Sequence, residues 1–327
     1  MRFLIAGAGA IGAYIGARMA RAGYDVTLFA RGPHLRAMEE RGVLVKSAGG
    51  DFTAKPAVIG TFEGATPFDV IFLAVKAHAL TQFAPQLKPV LGPHTAVVST
   101  QNGVPWWYFQ GFGGEFEGMH LERLDPGGVI ASAIATRSVI GSIMYFATEI
   151  PEPGVVQHIE GNRITLGEPD GSRSERCRKI AEALIASGFR APITTRIRHE
   201  IWVKVLGNAS FNPVSALTRA TLAQMAHNPG VTWVIRSMME EVEAVSKKLG
   251  MELPITIDQR IAGAEKVGEH KTSMLQDLEA GRPMELEALV GSVVEIGERV
   301  GLPMTCTRTV YNCVKLLGET GRSPSAR

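Results

Sequence analysis

Two kinds of hydrophobic pattern follow one another along the chain. In the first part, short apolar runs are typical of strands that are buried on both faces of a parallel sheet. Such runs cover residues 2–6, 25–29, 70–75 and 96–99. From Arg196 onward, apolar residues recur at three- and four-residue spacing, which predicts helices. We therefore expect the fold class α/β, with a parallel-sheet domain at residues 1–195 and an all-helical domain at residues 196–327.

Shorter patterns complete the predicted elements. Further strands are expected at residues 43–45, 52–54, 142–147, 154–159, 163–167 and 193–195. Helices are expected at residues 13–20, 33–41 and 172–187 in the first domain, and at residues 197–205, 230–249, 257–268, 286–300 and 304–317 in the second. Residues 318–327 are small and polar, and we expect them to be disordered.

A glycine-rich turn joins the first predicted strand to the first helix. The G-x-G-x-x-G pattern becomes specific in that position, where it is typical of dinucleotide-binding Rossmann domains. The first glycine permits the tight turn, the second lets a pyrophosphate approach the backbone, and the third lets helix and strand pack closely. The predicted cofactor-binding residues of this turn are Gly7, Ala8, Gly9, Ala10, Ile11 and Gly12.

The end of the second strand indicates which nicotinamide cofactor is used. In NAD-binding domains an acidic residue there holds the ribose hydroxyl. The chain instead has Phe29-Ala30-Arg31, without an acid. Arg31 is suited to the 2′-phosphate of NADP, so the pattern favours NADPH, although an arginine in a solvated loop is the alternative.

Two more polar residues follow predicted strands. Lys76 stands after the strand at residues 70–75, and Asn102 follows the one at residues 96–99. Ligands of open α/β sheets bind outside the carboxyl ends of the strands, so both residues are expected beside the glycine turn and Arg31. Taken singly, Lys76 fits a solvated loop, and Asn102-Gly103 fits a plain turn.

Composition excludes several classes of function. The net charge of +2, without a long block of like charges, argues against a nucleic-acid partner. Three cysteines without a C-x-x-C pair indicate reduced thiols in a cytoplasmic protein, and the eight scattered histidines lack the spacing of a metal site. Residues 130–150 are interrupted by Arg137, so we expect neither a membrane span nor a membrane partner. Because the first strand begins at residue 2, we expect no targeting peptide ahead of it.

A second group of polar residues lies in the helical part. Lys204, Asn208 and Asn212 are spaced by four, which places them on one side of a helix. Pro213 predicts a break or kink directly after them. The alternative is a solvated lysine followed by an Asn-Pro helix stop.

Two further residues have a local explanation. Ser273 begins an S-x-x-Q sequence that fits a capping box, and Glu285 is expected in the first turn of the next helix. There its carboxylate offsets the helix dipole.

Residues 106–128 combine aromatic side chains with many glycines. They fit a loop or lid beside the substrate. They fit equally an aromatic patch that is buried at a domain contact or in a homodimer. The sequence is compatible with both interpretations.

The residues quoted so far, with a few others, resemble those of the ketopantoate reductases (2-dehydropantoate 2-reductases), NADPH-dependent enzymes of pantothenate synthesis. The matching segments run along nearly the whole chain: Gly7 to Gly12, Val75-Lys76-Ala77, Gln101-Asn102-Gly103, Pro153 to His158, Lys204-x3-Asn208-x3-Asn212-Pro213, and Ser273 to Asp277 with Glu285. The resemblance implies a Rossmann domain, a helical domain and an active site in the cleft between them.

The resemblance also implies roles. Lys204 would be the general acid, and Glu285 would orient it and the substrate. The substrate's hydroxyl and carboxylate would be held by Asn208, Asn212 and Ser273. Lys76 and Asn102 would bridge NADPH and the small 2-oxo acid substrate.

One departure leaves the substrate open. The family usually has a short Glu-containing segment after the Asn-Gly, whereas this chain continues with Val104-Pro105-Trp106-Trp107-Tyr108-Phe109. The expected reaction is the reduction of 2-dehydropantoate. The alternatives are an NADP-dependent dehydrogenase of another 2-oxo or 3-hydroxy acid, and a non-catalytic NADP(H) sensor.

Overall fold

The computed structural model describes residues 1–321, which form two compact units. The sheet unit comprises Met1–Gln101, Trp107–Gly118 and Gly127–Ile197. The helical unit comprises Asn102–Trp106, Met119–Pro126 and the chain from Arg198 onward. Two short stretches of the first half of the chain thus belong to the helical unit, which the hydrophobic pattern does not indicate.

Within the described residues, the sheet unit contains one mixed sheet of nine strands. In chain order these are β1 (Arg2–Ala6), β2 (Asp25–Phe29), β3 (Val43–Lys46), β4 (Phe52–Ala54), β5 (Ala57–Ile59), β6 (Val70–Leu73), β7 (Ala96–Ser99), β8 (Val139–Glu152) and β9 (Val155–Gly167). Their order across the sheet is β4-β3-β9-β8-β7-β6-β1-β2-β5.

The centre of this sheet is parallel, as the apolar runs predict. Strand β1 lies between β2 and β6, and β7 lies between β6 and β8, all in parallel. Phe3, Ile5 and Phe72 are wholly buried there. Because these strands are covered on both faces, they need continuous apolar sequence. The α/β prediction is confirmed, with β9 running antiparallel to β8 and β4 antiparallel to β3.

The far side of the sheet differs from the prediction. The expected strands at residues 154–159 and 163–167 are one strand, β9, which continues through Gly161 in a left-handed conformation (φ +75°) and forms a long hairpin with β8. The expected edge strand at residues 193–195 is wrong, because this segment makes only an isolated bridge from Ile193 to Leu166. Strand β5 was not predicted.

Helices of the sheet unit connect the strands. They are α1 (Ala10–Arg21), α2 (Gly32–Arg41), α3 (Leu80–Phe83), α4 (Val129–Ala133) and α5 (Glu175–Ala186). Short 3₁₀ turns lie at Ala77–Ala79, Ala84–Val90, Gly114–Phe116, Pro126–Gly128 and Thr136–Ser138.

The helical unit is built from α6 (Ile197–Thr218, beginning at the last residue of the sheet unit), α7 (Leu222–His227), α8 (Pro229–Lys248), α9 (Ile257–Val267), α10 (Ser273–Glu279), a π-helical turn (Glu287–Gly291), α11 (Ser292–Arg299) and α12 (Thr305–Thr320). Residues 318–320 belong to α12, so the disorder predicted for them is wrong. Residues 322–327, which carried the same prediction, lie outside the described residues.

Helix α6 corrects a local prediction. We expect a break or a kink after Asn212, and the break does not occur, because α6 continues through Pro213 to Thr218. A proline inside a helix costs about 3 kcal/mol. Burial offsets this cost here, since Ala209, Phe211 and Val214 are all buried on the same stretch.

Among residues 1–321, no helix is both long and apolar enough to cross a membrane.

Candidate active site

Two glycines of the first turn are required by packing. Gly7 has φ +111°, and a Cβ there would lie 2.8 Å from the backbone nitrogen of Val75. A Cβ on Gly12 would overlap the carbonyl oxygen of Gly7 and lie 2.8 Å from the Cγ2 of Ile5. The tight turn and the close helix–strand contact therefore leave no room for larger residues.

Gly9 differs from both, because a Cβ there would meet no protein atom within 4 Å. Gly9 is the N-cap of α1, which has neither a side-chain cap nor an acidic residue in its first turn. The first N–H groups of a helix attract anions, and no side chain of this helix satisfies them. Space above Gly9 and an uncapped helix start are what a bound pyrophosphate needs, so the turn fits a dinucleotide.

Arg31 lies just past the end of β2 and is exposed. Its guanidinium donates a hydrogen bond to Gln86 Oε1 (2.9 Å), and its Cζ lies 5.3 Å from the ring centre of Phe29. Ala30, the residue between Phe29 and Arg31, donates its N–H to Ile59 O (3.1 Å), which continues the pairing of β2 with β5. The end of β2 thus presents a cation and no carboxylate.

The segment before Lys76 is fixed by hydrogen bonds from a residue that follows the neighbouring strand β7. Strand β6 ends at Leu73, two residues earlier than predicted. The side-chain amide of Gln101 donates to the carbonyl oxygens of Leu73 (2.6 Å) and Val75 (3.0 Å). In the sequence Gln101 belongs to a motif, but no local pattern indicates this role, because its partners are 26 and 28 residues away.

Asn102 belongs to the helical unit, as do Lys204 and Glu285. The next residue, Gly103, has φ +87°, and its Cβ would lie 2.6 Å from the carbonyl carbon of Ala288. Val104 donates its N–H to the oxygen of Ala288 (3.2 Å). The stretch that begins with Asn102 is therefore packed against the π-helical turn that follows Glu285.

Helix α6 presents the second group of polar residues along one intact helix. Asn208 is partly exposed, and Asn212 is 6% exposed. Part of the Lys204 side chain is also exposed, but its ammonium is enclosed by protein. Neither asparagine amide forms a hydrogen bond with another of the described residues. Asparagine competes with the backbone inside helices, so two uncommitted amides on this helix suit ligand binding better than helix stability.

The charge state of Lys204 is set by two opposing effects. Burial lowers the pKa of its ammonium to about 8, and the negative charge of Glu285 acts in the opposite direction. Desolvation disfavours the charged form, whereas a nearby carboxylate favours it. A lysine with this pKa is protonated at neutral pH and releases its proton readily, as a general acid must.

The start of α10 corrects the predicted capping box. Thr272, not Ser273, is the N-cap, and its hydroxyl accepts the N–H of Leu275 (3.3 Å). Ser273 occupies the first helical position, where it is exposed and makes no hydrogen bond to another described residue. Its hydroxyl is thereby not committed to capping.

Glu285 lies directly before the helical residues, and its carbonyl accepts the N–H of Leu289 (3.1 Å). Glu285 is therefore the residue before the helix and not, as predicted, part of its first turn.

A clamp of charged groups ties Met119–Pro126 to the rest of the helical unit. The Glu295 carboxylate accepts the backbone N–H groups of Glu122 (3.0 Å) and Arg123 (3.1 Å). Arg123 forms an ion pair with Glu287 (3.2 Å) and donates to the hydroxyl of Tyr311, which itself donates to Glu287 (2.7 Å). The clamp reaches the π-helical turn two residues after Glu285, and no sequence motif indicated it.

The aromatic rings after Pro105 are mostly internal. Trp107, Tyr108 and Phe109 are buried, and the indole of Trp107 donates to Ser99 Oγ (2.9 Å) within the sheet unit. These rings are therefore not an exposed patch that a second chain would have to cover. Trp106, in the helical unit, has a buried indole N–H without an acceptor among the described residues.

Comparison with known proteins identifies the family. The N-terminal model of the ketopantoate reductase PanE/ApbA family matches residues 3–106, and its C-terminal model matches residues 196–318. A 2-dehydropantoate 2-reductase of Mesorhizobium japonicum is 48% identical over 318 residues, covering 97% of this chain and 98% of the relative.

Solved structures extend the likeness. A crystal structure of a Ralstonia solanacearum protein assigned as a ketopantoate reductase has a TM-score of 0.93 and 38% identity, with 98% of both chains covered. A D-mandelate dehydrogenase in complex with NADH and anilino(oxo)acetate has a TM-score of 0.85, with 98% of this chain and 99% of that chain covered. At 20% identity, this second likeness shows the fold alone. The matched family models and the 48% identical relative show that the chain belongs to the ketopantoate reductase family and is an oxidoreductase.

Proposed function

We propose that the chain is an NADPH-dependent reductase of 2-dehydropantoate, with Lys204 as the general acid. NADPH, when bound, supplies the hydride that reduces the ketone carbon. The observation that carries the proposal is Lys204 itself, whose pKa is lowered to about 8 on a helix that also bears Asn208 and Asn212. The Mesorhizobium japonicum relative, a 2-dehydropantoate 2-reductase, supports the choice of substrate.

Each proposed site residue of the helical unit has a separate role in the reaction. As the ketone carbon is reduced, negative charge develops on the carbonyl oxygen, and the Lys204 ammonium stabilises that charge and donates a proton to it. The amides of Asn208 and Asn212, with the hydroxyl of Ser273, are neutral donors suited to the substrate's oxygens. Glu285 keeps Lys204 charged against the effect of burial.

The proposed cofactor site uses the glycine turn, Arg31, Lys76 and Asn102. The space at Gly9 and the uncapped start of α1 support pyrophosphate binding there. An exposed arginine at the end of β2, in the absence of an acid, supports NADPH over NADH.

The test is oxidation of NADPH by the purified protein in the presence of 2-dehydropantoate. Lys204→Ala is expected to lower kcat by about 10²- to 10⁴-fold, the usual contribution of a positioned general acid. Lys248→Ala, at an exposed position in the last turn of α8, is the matched control and is expected to keep the wild-type rate. Equal rates for Lys204→Ala and wild type would rule out the role proposed for Lys204.

A second candidate is an NADP-dependent dehydrogenase of another 2-oxo or 3-hydroxy acid. It rests on the segment Val104-Pro105-Trp106-Trp107-Tyr108-Phe109, which stands where the resemblance leads us to expect a short Glu-containing segment. A panel of aliphatic and phenyl-substituted 2-oxo acids, assayed with NADPH and with NADH, separates the two. Tight NADPH binding without turnover of any carbonyl compound would instead indicate a sensor.

A further inference from the structure

The guanidinium of Arg260 occupies an unusual place in the helical unit. Arg260 lies in α9, and its Nη2, Nε and Cζ atoms fill the position that a Cβ on Gly207 would take. Its Cζ also lies 5.9 Å from the ring centre of Phe211, one turn further along α6. The side chain is partly exposed. It therefore rests on the surface of α6 at the level of the polar residues of that helix.

Helical spacing relates this position to Lys204. Residues at i, i+3, i+4, i+7 and i+8 share one side of a helix. On α6 these are Lys204, Gly207, Asn208, Phe211 and Asn212. The guanidinium that covers Gly207 and Phe211 thus lies on the same side of α6 as the proposed general acid and the two asparagines.

Gly207 has no backbone reason to be glycine. It lies inside α6 and is not among the residues with positive φ. Glycine within a helix is less stable than alanine. The space is instead taken by Arg260, since any side chain at residue 207 would displace the guanidinium. The absence of a side chain at Gly207 thus leaves the space in which the guanidinium of Arg260 lies.

Within the helical unit, the residues assigned to the oxygens of the substrate include no cation besides Lys204. A 2-oxo acid carries a carboxylate, and a desolvated carboxylate needs a cation or strong donors. Asn208, Asn212 and Ser273 are neutral, and Lys204 is assigned to the carbonyl oxygen. The planar fork of an arginine matches a carboxylate with two parallel hydrogen bonds.

We propose that Arg260 binds the carboxylate of the 2-oxo acid substrate, and that Gly207 is required to hold its guanidinium there. This inference rests on the proposed function and adds a residue that the family resemblance did not supply. It predicts that the enzyme discriminates strongly between a 2-oxo acid and a neutral derivative of the same carbon skeleton.

The test compares 2-dehydropantoate, or the 2-oxo acid that the panel shows to be the best substrate, with its amide. Arg260→Gln is expected to raise KM for the acid by about 10- to 100-fold, because charge-assisted hydrogen bonds are lost. The kcat is expected to change much less, since Lys204 remains. The preference for acid over amide is expected to collapse, and Arg260→Lys is expected to restore it in part.

A second variant keeps the arginine but moves it. Gly207→Ala places a methyl group where the guanidinium lies, so it is expected to raise KM for the acid in the same way. Gly263→Ala, in the same helix as Arg260, is the matched control, because its Cβ would meet no atom within 4 Å. This variant is expected to behave as wild type.

Three results decide the outcome. If Arg260→Gln slows acid and amide equally, the arginine only supports the packing of α6 and α9, and the inference is wrong. If Gly207→Ala leaves KM for the acid unchanged, the guanidinium is not needed in that place, and the inference is again wrong. If the wild-type protein reduces no 2-oxo acid, the proposed function itself fails, and the inference fails with it.

Discussion

Individual residues of the helical unit are tuned by their surroundings rather than by their type. Lysine titrates near 10.4 in water, and the pKa of Lys204 is lowered to about 8 by burial. Glu285 limits this lowering through its negative charge. The balance between the two effects sets the pH at which the proposed acid loses its proton.

The pH profile of kcat is expected to report this balance. The proposed mechanism needs protonated Lys204, so the rate should be high below about pH 8 and fall above it. Glu285→Gln removes the attraction and leaves burial unopposed, so the pKa of Lys204 falls further and the decline begins at a lower pH than in the wild type. Glu298→Gln, which alters an exposed pair with Arg308, serves as the control. A decline at the wild-type pH, or above it, would contradict the role of Glu285.

Single elements show where local sequence rules hold and where packing overrides them. The start of α1 follows the local rule, because Gly7 and Gly12 each meet a packing requirement of the turn. Helix α6 does not, since buried contacts carry it through Pro213.

Two alanine substitutions in the glycine turn are expected to affect different properties, one the stability of the fold and the other the affinity for NADPH. Gly12→Ala overlaps the backbone of Gly7 and should lower the free energy of unfolding by about 3 kcal/mol. Gly9→Ala meets no protein atom, so its free energy of unfolding should stay within about 1 kcal/mol of wild type. Its affinity for NADPH should fall on the order of tenfold, equivalent to about 1.4 kcal/mol, because the methyl group occupies the proposed phosphate site. Urea unfolding and cofactor titration measure the two quantities.

The clamp around Arg123 is expected to matter more than a surface ion pair. Arg123→Met removes the ion pair with Glu287 and the bond to Tyr311, and should lower the free energy of unfolding by about 1 kcal/mol. It should also speed proteolytic cleavage within residues 119–126. Arg308→Met, which breaks only an exposed pair, should change neither quantity measurably. If the two variants prove indistinguishable, the clamp does not hold the segment.

The whole molecule combines two units with different chemistry. The sheet unit carries the proposed dinucleotide residues Gly7 to Gly12, Arg31 and Lys76, whereas the helical unit carries Lys204, Glu285 and Asn102. A ligand that binds only the folded chain stabilises it by mass action. Cofactor preference can therefore be read from stability as well as from turnover.

NADPH at a hundred times its Kd is expected to raise the free energy of unfolding by about 2.7 kcal/mol. Arg31→Gln should weaken NADPH binding by about tenfold or more and leave NADH binding unchanged, because only NADPH has the 2′-phosphate. Arg36→Gln, exposed on α2, is the control. Thermal unfolding at matched cofactor concentrations measures the difference. Equal losses for both cofactors in Arg31→Gln would contradict the phosphate contact.

Elements that depend on short-range interactions could be predicted from the sequence more accurately than those that depend on contacts between distant residues. The bounds of β1, β2 and β7 agree with the predicted runs, because a strand buried on both faces leaves its length in the sequence. The predicted N-cap of α10, Ser273, is one residue later than the actual N-cap, Thr272, because both residues carry a hydroxyl group that can cap a helix. The continuity of β9 was missed because a bulge at Gly161 interrupts its alternation.

The sequence by itself determined the two kinds of domain, the glycine turn, the missing acid after β2 and the spacing of Lys204, Asn208 and Asn212. These features depend on short-range periodicity and residue type. Only the tertiary structure decided that residues 102–106 and 119–126 join the helical unit, that Gln101 holds the segment before Lys76, and that Arg260 rests on Gly207. It also decided the pKa of Lys204. Burial and the proximity of charges depend on groups far apart in the chain, and no local pattern encodes which of them will meet.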